Sequence, residues 1–139
     1  MSDLKAFLKP AVTTVTDKVV VSSRFLDDDR KPIPFEIKSI TQAENDALIK
    51  ASTRVSVSKG QREEVLNKSQ YQARLVVECV TYPSFRDPEL LKGLGVVDPL
   101  DAPNRMLLAG EFAKLAAAIM VVNGFGDESA DALIEAAKN

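Results

Sequence analysis

The segment Tyr71-Gln-Ala-Arg-Leu-Val-Val-Glu-Cys-Val-Thr-Tyr-Pro83 constrains the fold more than any other stretch of this chain. At helical spacing, Tyr71, Leu75, Val76, Cys79 and Val80 cover more than half of a helix circumference. A helix that apolar cannot lie on a surface and must be wrapped by other elements. The pattern predicts a central helix from about Lys68 to Thr81. Pro83 ends it, because the residue before a proline is pushed out of the helical region.

Other segments supply the wrapping. Asp87-Pro-Glu-Leu-Leu91 predicts a short helix with Asp87 as its cap and Pro88 in the first turn, where a missing N–H costs nothing. Gly93 or Gly95 closes it. Asp98-Pro-Leu-Asp-Ala-Pro103 reads as a turn-rich connector. From about Arg105 to Asn123 a longer helix is expected, with Leu108, Phe112, Leu115, Ala116, Ile119 and Met120 as its inward stripe and Gly124 as its stop. Upstream, Thr41-Gln-Ala-Glu44 is a capping box. It predicts a helix running to about Ser52 that buries Ala47, Leu48 and Ala51.

The period changes from Lys18 to Ile40. Val19, Val21 and Phe25 fall on one face of an extended strand, and Ile33, Phe35 and Ile37 alternate with Pro34, Glu36 and Lys38 in a second. Asp27-Asp-Asp-Arg-Lys31 is the polar turn between them. Pro34 lacks a backbone donor and so assigns its strand to a sheet edge. A lone hairpin is marginal in water, so this one must rest on helices. Thr53 to Gly60 has no helical stripe and reads as a loop or short extended arm. Leu4, Phe7 and Leu8 make one short helical face ended by Pro10, in a segment (residues 1–16) expected to be partly mobile. Asp127 to Lys138 is expected to be one more helical segment, a tail whose large apolar side chains are Leu133 and Ile134. The expected fold class is α+β: an N-terminal β-hairpin packed on a mainly α-helical bundle of four to five helices, in one domain over residues 1–139.

Catalytic chemistry finds little to use. The chain has no histidine, so no Ser-His or Cys-His pair exists and the commonest neutral-pH base is missing. Cys79 is the single cysteine; no intramolecular disulfide can form, and its apolar neighbours mark it as a small buried hydrophobe. The carboxylates Asp27-Asp28-Asp29, Glu63-Glu64 and Asp127-Glu128 sit at turns and helix starts, where solvation and helix dipoles account for them. The first cluster lacks the alternating oxygen ligands and closing glutamate of a calcium loop. Ser58-Lys59 lies on a polar arm without the buried setting that activates a lysine. Gly93-Leu-Gly95 and Gly124-Phe-Gly126 follow helices, not strands, and read as helix stops rather than phosphate loops. No catalytic, metal-binding or cofactor-binding residue is expected, and the chain reads as a non-enzyme.

A formal net charge of −2 gives no basic stripe for nucleic acid. No apolar run approaches the roughly 18 residues a membrane span needs, and the N-terminus lacks a signal-peptide core, so the cytoplasm is the expected location. What remains is a binding protein. Val55 and Val57 on the arm, and Leu133 and Ile134 on the tail, are its candidate protein contacts, the arm by adding a strand to a partner or a sister subunit.

In order and spacing, several motifs resemble the tail assembly chaperones of long-tailed bacteriophages, in particular the group found in PBSX-type prophages of Gram-positive bacteria. They are Phe35-Glu-Ile-Lys-Ser-Ile-Thr-Gln-Ala-Glu44 leading into Asn45-Asp-Ala-Leu48, Tyr71 through Pro83, Asp87-Pro-Glu-Leu-Leu91 with Gly95-Val96, and Leu108-Ala-Gly-Glu-Phe112 with Leu115 and Asn123-Gly-Phe125. The likeness covers residues 18 to 125. In this chain Asp29 is followed by Arg30 and Lys31, where such proteins often carry glycine after the acidic run. The resemblance implies a protein that holds the tape measure protein, keeps it soluble and helps recruit tail tube subunits. Several copies on one tape measure chain are implied too, in the cytoplasm of the bacterial host, with a homo-oligomer as a further possible partner arrangement. A structural tail completion or connector subunit is the competing reading. It differs in being retained in mature particles, whereas an assembly factor is depleted from them.

Overall fold

The computed structural model describes residues 3–8 and 14–125. In chain order its elements are α1 (Leu4–Leu8), β1 (Thr16–Val19), β2 (Phe35–Lys38), α2 (Gln42–Ala51), β3 (Thr53–Ser58), β4 (Gln61–Leu66), α3 (Lys68–Cys79), β5 (Val80–Tyr82), α4 (Pro88–Leu94), α5 (Ala102–Met106) and α6 (Ala109–Val122). A 3-10 turn, Pro99–Asp101, leads into α5. The fold is α+β. β1, β2 and β5 form one antiparallel sheet in that order, and β3 pairs with β4 in a separate two-stranded ribbon.

The core follows from α3. Ala73, Leu75, Val76, Val77 and Cys79 are buried on it, and the chain turns straight into β5, whose Val80 is buried as well. Leu115, Ile119 and Val122 of α6, which packs against both α3 and β2, share one buried cluster with Phe35 and Ile37 of β2. Val21, Phe85, Ala102 and Leu107 complete the cluster. Each large apolar side chain so buried stabilises the fold by about 1.5–3 kcal/mol relative to exposure.

Local signals set several boundaries as expected. The Glu44 N–H donates to Thr41 Oγ1 at 3.2 Å while the Thr41 N–H donates to Glu44 Oε1 at 3.1 Å, the reciprocal box that starts α2. Asp87 caps α4 by accepting from the Glu89 N–H at 2.9 Å. Gly95 (φ 74°) ends α4 and Gly124 (φ 89°) follows α6, both in the left-handed region open to glycine. At α6 the Phe125 N–H reaches back to the Met120 carbonyl and the Gly124 N–H to that of Val121, satisfying two orphan acceptors. In the polar turn, Asp27 Oδ1 accepts from the N–H groups of Asp29 and Lys31, which lets Arg30 hold φ 61°.

Several expectations are corrected. Pro34 does not mark an edge: β2 is the central strand, and the proline precedes its first residue, so the missing N–H falls outside the ladder. α3 stops at Cys79, not Thr81; β-branched Val80 and Thr81 and aromatic Tyr82 make the third strand beside β2. The Tyr82–Pro83 peptide is cis. The helix expected from Arg105 is two helices, because Leu107 is extended (φ −104°, ψ 141°). The break rotates the stripe. Leu108 is 61% and Met120 39% exposed, while Val122 joins Leu115 and Ile119 inside. Ala47 and Ala51 face solvent, and only Leu48 of that trio packs, half-buried, against the core. The tail carrying Leu133 and Ile134 lies outside the described residues.

Leu75→Ala and Ile119→Ala are each expected to cost about 2–5 kcal/mol in denaturant unfolding, while Leu108→Ala shifts stability by less than about 0.5 kcal/mol. Equal losses at all three positions would contradict the rotated stripe.

Candidate protein-binding surface

Between α2 and α3 the chain leaves the body as a ribbon. Lys59 (φ 55°) and Gly60 (φ 77°) form its two-residue turn, the pair of left-handed residues that matches the twist of a hairpin. Val55, Val57 and Thr53 supply strand-favouring side chains. Along β3 and β4 only Thr53 is even half-buried. The base is anchored. The Asn67 N–H donates to the Ser52 carbonyl at 2.9 Å. Buried Ser52 donates its hydroxyl to Leu48, and Thr53 donates to Ile49 at 2.7 Å.

Register sorts the ribbon into two faces. Val55 lies opposite Glu64, Val57 opposite Arg62, and Thr53 opposite Leu66. That face carries an apolar strip rimmed by the Arg62–Glu64 ion pair at 3.3 Å. The other face holds Arg54, Ser56 and Ser58 against Val65, Glu63 and Gln61. The arm expected at Thr53–Gly60 is therefore half of a hairpin. Its second strand, Gln61–Leu66, carries no sequence signal of its own, because Arg62-Glu63-Glu64 hides the alternation.

A second feature lies where the start of α2, the first turns of α3 and the end of α6 meet. Ile40, Tyr71, Leu75, Met120 and Phe125 give it apolar walls, and Thr41, Gln42, Asn45 and Asn123 its polar rim. Asn123 fixes the junction. Its Oδ1 accepts from the Ile40 N–H at 2.8 Å, and its Nδ2 donates to the Ile119 carbonyl at 2.9 Å and to Cys79 Sγ at 3.7 Å. The Tyr71 hydroxyl donates to Asn45 Oδ1. The groove encloses about 180 Å³, below the roughly 300 Å³ at which small-molecule sites begin. It suits one or two side chains of a larger partner. Nothing in the sequence stripe marks it, since its residues come from separate elements.

The titratable groups with shifted acidity are structural. Glu111 is held down to about 2 by the Arg24 guanidinium, helped by Ser22 and the Leu108 N–H. Arg24 Nε donates to Glu111 at 2.9 Å, and its terminal nitrogen also reaches the Met106 carbonyl at 3.1 Å. Glu111 accepts from the Leu108 N–H at 2.8 Å, half of a capping box, since a leucine cannot supply the reciprocal acceptor. The pair ties the segment between β1 and β2 to the start of α6. Burial pushes the Cys79 thiol above its usual range, which leaves it unreactive. Among the described residues, no group of three or more His, Cys, Asp or Glu is placed to hold a metal ion. Nor is any helix among them long and apolar enough to cross a membrane.

Of the four candidate contacts, Val55 (48% exposed) and Val57 (71%) sit on the ribbon. Leu133 and Ile134 lie outside the described residues. A ribbon with one apolar face and a shallow, polar-rimmed groove are surfaces of the kind that suit polypeptide. Comparison makes this specific. The model for the phage XkdN-like tail assembly chaperone protein family matches residues 4–138, and the chain belongs to that family. It is 36% identical over 138 residues to protein YqbN of Bacillus subtilis (strain 168), covering 96% of this chain and 92% of that protein. It is 35% identical over 138 residues to the phage-like element PBSX protein XkdN of the same strain, covering 96% of this chain and 93% of the relative. The crystal structure of the protein YqbN superposes with a TM-score of 0.72 at 30% identity, over 90% of this chain and 98% of that one.

The Glu111 carboxylate is lowered from 4.5, so its contribution to stability is complete above about pH 4.5 and is lost as pH falls toward 2. Glu111→Gln should flatten the acid limb of the stability–pH curve over that window, as read by thermal melts. Gly60→Ala is expected to cost about 1 kcal/mol, entirely from backbone conformation, because an added Cβ there meets nothing within 4 Å.

Proposed function

We propose that this protein binds the tape measure protein of a phage or prophage tail in the bacterial cytoplasm, keeps it soluble and helps recruit tail tube subunits. Family membership over residues 4–138 carries the reading. The groove gives it a physical form. A tape measure chain is long, helical and apolar, and a helix docks by pressing side chains at i, i+3 and i+4 spacing into a hydrophobic groove. Tyr71, Met120 and Phe125 offer that floor, and Gln42, Asn45 and Asn123 offer hydrogen bonds at its rim. A small groove with a polar border also keeps the free protein from aggregating, as an extended apolar patch would not.

Co-expression with a tape measure fragment tests this. The fragment is expected to stay soluble and to co-purify with the protein. Met120→Lys, at a side chain 39% exposed, should abolish co-purification while leaving the melting temperature within a few degrees. A fragment equally soluble alone, or one bound equally well by the variant, would refute the groove assignment. Mass spectrometry of mature particles provides a separate check, because an assembly factor is depleted from them.

A further inference from the structure

The ribbon's two edges differ in a way that points to a specific occupant. Strands with unpaired edges are ordinarily blunted by charge. β4 is blunted: Arg62, Glu63 and Glu64 stand in a row on it. β3 is not, for Val55, Ser56, Val57 and Ser58 run uncharged between Arg54 and Lys59. Among the described residues, β3 is hydrogen-bonded as a strand to β4 alone.

Parity fixes which groups that edge presents. In an antiparallel ladder, hydrogen-bonded and non-hydrogen-bonded pairs alternate. The Asn67 N–H donates to the Ser52 carbonyl, so that pair is hydrogen-bonded, and Arg54, Ser56 and Ser58 follow it at every second position. Thr53, Val55 and Val57 therefore turn their N–H and C=O groups outward.

We propose that β3 is a self-association edge: it pairs antiparallel with β3 of a second copy, about a twofold axis at Ser56, to give a four-stranded sheet across the two copies. With the axis there, Val55 of one copy faces Val57 of the other as a hydrogen-bonded pair, twice over. Ser56 faces Ser56 as a non-hydrogen-bonded pair, which its inward-turned backbone requires. Arg54 faces Ser58, so the arginines stay apart. Charge agrees on the apolar face. The ribbon register places Glu64 behind Val55 and Arg62 behind Val57. Each row across the joined sheet then reads Glu64, Val55, Val57, Arg62, with one acid and one base flanking an apolar pair. A shift of one residue would set the outward groups of one strand against the inward-turned groups of the other, and would lose every new bond.

Cysteine scanning on the intact protein tests the register. Non-hydrogen-bonded neighbours stand with Cα atoms about 4.5 Å apart, within disulfide reach. Cys79 is fully buried and does not compete. Under mild oxidation, Ser56→Cys should form a disulfide-linked dimer, whereas Arg54→Cys and Ser58→Cys each stay largely unlinked alone and cross-link when mixed. Val55→Lys with Val57→Lys, at positions already exposed, should convert the dimer seen by light scattering to a monomer that still unfolds in one cooperative transition. Equal linkage of all three cysteine variants alone would overturn the proposal. So would a wild-type protein that remains monomeric at a few hundred micromolar, and the edge would then fall to an extended strand of another protein.

Discussion

Everything in this fold answers to the burial of α3. Five of its last seven residues are inaccessible, and the chain leaves it directly into β5, also buried at Val80. A helix covered on that much of its surface cannot be served by one neighbour. α6 packs against it, the β5 strand of the sheet continues from it, and Phe35 and Ile37 of β2 share its buried cluster with Leu115 and Ile119. The direct passage from Cys79 to Val80 also brings β5 into register beside β2. One constraint therefore sets the order of the sheet and the position of α6.

Polar contacts finish what packing begins. Asn123 joins the end of α6 to the start of α2 and reaches Cys79 on α3. Arg24 and Glu111 do the same at the other end of α6, linking it to the segment between β1 and β2. Their role is to fix angles between elements. The groove lies where α2, α3 and α6 meet at the Asn123 junction.

The sequence made the buried half of the molecule readable and left the surface half obscure, for physical reasons. Capping and stop signals act within four or five residues, so Thr41, Asp87, Gly95 and Gly124 announced their boundaries. The buried stripe of α3 was legible because burial demands apolar side chains. β5 was not, because three residues carry no period, and Val80 and Thr81 continue a helical stripe equally well. The break at Leu107 was hidden because its apolar neighbours keep a helical spacing across it. β4 was hidden by its charges, which are there because its edge is exposed. The groove had no linear signature, since Thr41, Tyr71 and Met120 meet only in the folded state.

The ribbon and the groove are coupled through α2. The helix begins at the groove, with Thr41 and Asn45 on its rim, and ends at Ser52, which anchors the ribbon. Ten residues of helix separate them by about 15 Å. A short helix tied at both ends moves as a rigid body, so a ribbon joined to a second ribbon would hold two grooves at a fixed spacing and orientation. Two weak contacts on one long helical chain then bind with the effective concentration of a short tether rather than as independent events. On the proposed pairing, a small groove on each copy would then suffice for a tight hold on a long partner.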